Sequence, residues 1–147
     1  VNTELLGAVR EGWGWTGIDA AAVTAVSPFG HLIVRDAQGA FWYLDPELRS
    51  LDRVASDEPS LFAYMRDAEV REIWEAMALV DAARVRLGAP EAGRCYSLKT
   101  HALLQGDYSH DNLCTIPIAE LIRFTGDFEQ QTRHLPEGSA VQLKVVE

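Results

Sequence analysis

The sequence predicts an α+β fold: a mixed, mainly antiparallel sheet with amphipathic helices packed on one face. Three observations carry that prediction. A hairpin pattern runs through residues 31–44, an amphipathic helical period occupies residues 61–80, and strand patterning returns in the last third around one more helix.

Taken in order, Glu4 to Arg10 suits a short helix, ended by the glycines of Gly12-Trp13-Gly14-Trp15-Thr16-Gly17. Glycines interleaved with tryptophans read there as irregular backbone pinned by aromatic anchors. Val23 to Ser27 suits a strand, and His31-Leu32-Ile33-Val34-Arg35 is a stronger one because of its β-branched residues. Asp36-Ala37-Gln38-Gly39 supplies turn chemistry, and Ala40 to Leu44 returns as the second arm of a hairpin. Asp45-Pro46-Glu47-Leu48 breaks the sheet, with a connector expected up to Asp57.

From Pro59 the period changes. Leu61, Phe62 and Met65 fit one short helix, and Val70, Ile73, Trp74, Met77 and Val80 recur at spacings of three and four. Asp67 is a candidate N-cap between the two, and Gly88 followed by Pro90 is a helix stop. Arg94 to Lys99 and Leu113 to Ile116 read as strands, with a glycine-containing loop at Leu103 to Tyr108. Pro117 opens a helix expected over Ile118 to Phe124, interrupted at Thr125-Gly126-Asp127 and resumed from Phe128 to His134. Val141 to Val146 alternates as a closing strand.

No Pro/Ser-rich linker divides the 147 residues, so one domain, 1–147, is expected. Charge then restricts the function. Asp and Glu number 22 against 13 Lys and Arg, a net charge of −9. Nucleic acids are gripped by neutralising phosphates, so this balance argues against free DNA or RNA as partner. It favours solubility and suits a basic protein partner. Residues 45–81 hold ten acids against four arginines. A solvated helix face explains that run as simply as a patch complementary to a cationic protein does. The start, Val1 to Leu6, lacks the basic and apolar segments of a signal peptide, and no apolar run reaches membrane-spanning length. A cytoplasmic location with buried free thiols at Cys95 and Cys114 is therefore expected.

Catalytic and metal motifs are weak. His31, His101, His110 and His134 fall on different elements without paired ligand spacing, and no metal or cofactor is expected. Asp107, His110 and Asp111 make the most suggestive neighbourhood, which a polar turn explains equally well. The tryptophan–glycine run has the spacing of a dinucleotide fingerprint, but no long helix is expected after it and tryptophans stand where backbone must approach phosphate. Ser97 and Ser109 lack a nucleophile elbow.

One likeness does cover most of the chain. Gly12-Trp13-Gly14-Trp15, Phe29-Gly30-His31-Leu32-Ile33-Val34-Arg35-Asp36, Gly39 and Trp42 resemble the GAD-like segment of a family of bacterial proteins, here 12–57. Gly93 to Lys99, Gly106-Asp107-Tyr108, Asp111-Asn112-Leu113, Glu120-Leu121-Ile122, Gly126-Asp127 and Leu135-Pro136-Glu137-Gly138 resemble its C-terminal domain, here 93–147, with a helical segment, 59–87, joining the two. The family is that of type VI secretion immunity proteins that neutralise DNase effectors. The resemblance implies a non-catalytic inhibitor that covers the active or DNA-binding surface of a basic, nuclease-like toxin. On that reading Asp107, Asp111, Asp127 and Glu129 are the expected partner-binding residues, while Trp13, Trp15, Phe29 and Trp42 are expected to pack the fold. Two other classes remain open. One is a regulatory or scaffold module for a small ligand or housekeeping protein, and the other a small enzyme built on Asp107, His110 and Asp111.

Overall fold

A computed structural model describes residues 2–98 and 113–134. Its centre is a four-stranded antiparallel meander, β1 (Ala20–Val26), β2 (Leu32–Asp36), β3 (Phe41–Asp45) and β4 (Ser50–Ala55), paired in chain order. The alternation of side chains sorts this sheet into two apolar faces. Leu32, Val34 and Leu44 join the core built with α1 (Asn2–Trp13) and α5 (Ile118–Thr132). Ile33, Phe41 and Tyr43 point the other way, onto α2 (Glu58–Arg66) and α3 (Ala68–Glu75). The α+β class holds, but the helices cover both faces of this sheet rather than one. That double burial is why β2 reads Leu-Ile-Val without polar interruption.

A second, two-stranded antiparallel sheet, β5 (Arg94–Leu98) with β6 (Leu113–Pro117), packs under α4 (Met77–Leu87) through Phe29, Val80, Ala83, Tyr96 and Leu113. The Tyr96 N–H donates to the Pro28 carbonyl at 2.9 Å, which fixes this hairpin to the turn between β1 and β2.

Four local expectations change. The segment after Leu48 is strand β4, in register with β3 from Asp45↔Ser50 to Phe41↔Ala55. Its alternation is masked because Asp52 and Arg53 occupy exposed positions at the sheet's edge. The opening helix runs to Trp13, so the first tryptophan ends α1 rather than lying in irregular chain. The long amphipathic period from Val70 to Val80 is broken at Ala76, whose φ of 43° is left-handed, so α3 and α4 meet at an elbow. Asp67 caps α3 as expected, its carboxylate accepting from the N–H groups of Glu69 and Val70.

The fourth change concerns α5, which runs unbroken through Thr125-Gly126-Asp127. Gly126 is no helix breaker here; it is where α1 crosses. A Cβ on Gly126 would overlap the backbone of Gly12 and reach Trp13 Cδ1 at 2.8 Å, while one on Gly12 would meet the Ile122 carbonyl at 3.0 Å. The two tryptophans lock this crossing. Trp13 Nε1 donates to the Ile122 carbonyl (3.1 Å), and Trp15 Nε1 is shared between the carbonyls of Gly12 (2.8 Å) and Gly126 (3.2 Å). Trp13 and Phe29 are buried and Trp42 half-buried, in keeping with packing roles. The expected loop at 103–108 and closing strand at 141–146 lie outside the described residues.

The hairpin between β2 and β3 is closed by one carboxylate. Asp36 Oδ1 accepts from the N–H groups of Gln38 and Ala40, and Oδ2 from Trp42 Nε1, each at 2.9 Å. Gly39 takes the left-handed φ of 86° that this turn requires. Burial, the largest single influence, pushes the Asp36 pKa up. The bonds from Trp42, Ala40 and Gln38 and the charge of Arg53 together outweigh it and hold the carboxyl below its ordinary 3.8. A depressed folded pKa gives stability that is full above the ordinary value and is lost as pH falls through the folded one. Asp36→Asn is therefore expected to cost about 1–2 kcal/mol near neutral pH. In urea melts at several pH values, that cost should shrink once the pH drops below the ordinary aspartate range.

Candidate functional site

The Asp45–Arg49 turn between β3 and β4 faces the α3–α4 elbow, and the hollow between them is a groove of about 650 Å³. The turn is rigid by construction. Asp45 Oδ1 accepts from the N–H groups of Glu47 (2.9 Å) and Leu48 (3.1 Å), and Arg49 completes the reversal at a left-handed φ of 53°. On the floor lies His31, buried at the mouth of β2 and directly across the hairpin from Asp45. Its Nε2 is 2.9 Å from Glu47 Oε1 and 3.5 Å from Asp45 Oδ1, and its Nδ1 is 2.7 Å from the Tyr43 hydroxyl.

The chemistry of the partners assigns the protons. A carboxylate only accepts, so Nε2 carries a hydrogen and donates to Glu47. Burial first, then Asp45, Tyr64 and Glu47, raise the Tyr43 pKa, so the phenol beside Nδ1 keeps its proton. His31, Asp45 and Glu47 bring three donor atoms within 4.8 Å of one another, a set whose type suits a divalent cation. Their bonds to one another and to the turn backbone account for the arrangement without an ion.

The walls are apolar and open. Leu48, Ile73 and Met77 are 73%, 56% and 59% exposed. Glu72 adds a third carboxylate, and among the described residues no Lys or Arg lines the groove. A smaller hollow beyond Leu48 and Ile73 continues this character with Asp52, again with no basic lining residue among those described.

Of the four residues expected to bind a partner, Asp107 and Asp111 lie outside the described residues. Asp127 and Glu129 are both on α5, where two positions amount to roughly 200° of rotation, so they face different ways. Asp127 is exposed and accepts from Gln131 Nε2 at 2.9 Å. Glu129 is half-buried and paired with Arg49 Nε at 3.3 Å, tying α5 to the back of the Asp45–Arg49 turn. They form no joint patch. The histidines were expected on different elements without paired ligand spacing, yet the fold brings His31 to two carboxylates, while His101 and His110 lie outside the described residues. The register itself offered the clue: a turn at Asp36–Gly39 sets Leu32 opposite Leu44, and hence His31 opposite Asp45.

Neither thiol is in a disulfide; Cys95 is buried and Cys114 half-buried on the neighbouring strands β5 and β6. Burial first, then Cys114, with Glu47 adding to it against Arg94, pushes the Cys95 thiol up to about 12. A thiol so protonated is a poor nucleophile. No described helix is long and apolar enough to cross a membrane.

The scaffold is α+β and presents an acidic, apolar-walled groove. Residues 55–129 match the family of the T6SS immunity protein Tdi1, C-terminal, and the chain belongs to this family. The matched stretch takes in α2 to α4, β5, β6 and most of α5, so it includes the elbow side of the groove as well as Asp127 and Glu129. Among solved structures, the fold resembles that of Atu4351 from Agrobacterium tumefaciens, with a TM-score of 0.62 at 14% identity. The alignment covers 86% of this chain and 64% of that one. No curated protein matches the sequence.

Proposed function

We propose that the chain neutralises a type VI secretion toxin by direct, non-covalent contact and catalyses no reaction itself. The observation that carries the reading is an open groove with three carboxylates and, among the described residues, no lining Lys or Arg, on a member of an immunity family. Such a surface is complementary to a cationic protein, and a nuclease, whose cleft must grip a polyanion, is the natural toxin class. The absence of catalysis is supported by the state of the reactive groups: His31 is held on both ring nitrogens, and the Cys95 thiol stays protonated. Asp127, exposed on α5, adds acidic character for such a partner, and Asp107 and Asp111, which lie outside the described residues, are proposed for the same contact.

A hollow of this volume also falls in the range of small-ligand sites. Its walls argue for a protein instead, because small-ligand pockets enclose their apolar lining and here Leu48, Ile73 and Met77 stand more than half exposed. Co-expression with the toxin encoded beside this gene should restore growth to cells that the toxin alone kills. Continued killing at equal expression would count against the proposal.

A further inference from the structure

We propose that Arg49 is a positioning residue: clasped by α5, it holds the Asp45–Arg49 turn, and with it one wall of the groove, in the shape a partner meets. This rests on the toxin-binding reading above and adds how that surface is kept in place between encounters.

Arg49 lies behind the groove, whose lining takes Asp45, Glu47 and Leu48 from the same turn. Its side chain goes the other way, onto α5. Nη1 donates to Thr132 Oγ1 at 3.2 Å, and Nε stands 3.3 Å from Glu129 Oε2 as an ion pair without a hydrogen bond. The guanidinium carbon sits 5.3 Å from the centre of the Phe128 ring. Thr132 gives its own proton to the Phe128 carbonyl at 2.7 Å, which leaves its oxygen turned to accept. Phe128 is buried, and α5 is itself fixed by its crossing with α1, so the anchor is stiff. A planar group that pairs, donates and stacks at once is arginine chemistry; the point charge of a lysine could not do all three.

The turn needs such a hold. Asp45↔Ser50 closes the β3–β4 register, so Pro46 to Arg49 form the connection. Its first half is secured, because Pro46 is fully buried and Asp45 Oδ1 accepts from the N–H groups of Glu47 and Leu48. Leu48, 73% exposed, gains little from burial, so the second half depends on Arg49. Yet Arg49 has a φ of 53°, a conformation that glycine enters freely and a residue with a Cβ enters at a cost. What its side chain does on α5 accounts for an arginine where a glycine would be less strained. A turn ordered before contact need not be ordered by the partner, and the difference appears as affinity.

The test uses the full chain and the purified toxin domain encoded by the neighbouring gene, with Kd from calorimetry and amide exchange from NMR of the free chain. Arg49→Gly suits the backbone but removes the clasp. It should quicken exchange of the Glu47 and Leu48 amides and weaken toxin binding about 10-fold, with a urea midpoint near that of the wild type. Glu129→Ala leaves the turn's own sequence alone and should do both to a lesser degree. Added to Arg49→Gly it should change little further, because the two side chains act through one contact. Arg49→Lys should fall between wild type and Arg49→Gly in Kd, and replaces the glycine variant if that one loses its fold by circular dichroism. Wild-type affinity in the folded Arg49 variants overturns this proposal and leaves toxin binding intact. So does a Glu129→Ala loss that is undiminished in the Arg49→Gly background, since Glu129 would then touch the toxin directly. No binding by the wild-type chain overturns the toxin reading itself, and this inference with it.

Discussion

Gly126→Ala should lower stability by roughly 3 kcal/mol, or about 6–12 °C in melting temperature for a chain of this size. The added methyl has no room, because it would overlap the Gly12 carbonyl group and press on Trp13 Cδ1. Backbone cannot rotate aside as a flexible side chain can, so α1 and α5 must separate. That separation also lengthens the tryptophan hydrogen bonds that lock the crossing. In an open helix the same substitution stabilises by up to about 1 kcal/mol, so the sign of the change is itself diagnostic. Gly7 supplies the control on α1: a Cβ there meets nothing within 4 Å. Gly7→Ala should therefore raise the melting temperature slightly. Equal behaviour of the two variants in thermal melts would mean that the helices are not in backbone contact.

Trp13→Ala should cost more, about 3–5 kcal/mol. Trp13 is 1% exposed, the largest fully buried side chain described, and it joins both helices to the first sheet's core. Truncation opens a cavity, removes the bond to the Ile122 carbonyl and takes away the stacked partner of Trp15, whose ring centroid is 6.2 Å distant. Domains are commonly stable by only 5–15 kcal/mol in all, so a substantial unfolded population is expected in mild urea. Trp13→Phe retains much of the volume but not the N–H donor, and should fall between wild type and Trp13→Ala in denaturation midpoint. Loss in the phenylalanine variant as large as in the alanine one would assign the effect to the hydrogen bond instead of the cavity.

These two positions also show where the sequence was legible. Trp13 as a packing anchor followed from its size and its glycine neighbours, and the hairpin at Asp36–Gly39 followed from turn chemistry and β-branched flanks. Local patterns of that kind are set by residues near in sequence. Gly126 was misread for the opposite reason. A glycine flanked by Thr and Asp looks like a helix stop until the crossing helix, more than a hundred residues earlier, is in view. β4 was missed because an edge strand with Asp52 and Arg53 exposed does not alternate, and the elbow at Ala76 because a left-handed alanine leaves no mark in composition.

The groove was partly legible. Ten acids against four arginines in residues 45–81 pointed to the right region, since Asp45, Glu47, Asp52 and Glu72 all come from that run. What sequence could not supply was the arrival of His31 from another strand and of the elbow from another face. Conversely, Asp127 and Glu129 looked like one cluster when written in a line, and the helix turns them apart.

Titration of purified chain into active toxin tests most directly whether protection comes from occupancy alone. The expected result is activity that falls linearly to zero at one chain per toxin, with the toxin's covalent mass unchanged and full activity regained when the complex is dissociated. Inactivation of many toxin molecules by a single chain, or a lasting change in toxin mass, would contradict it.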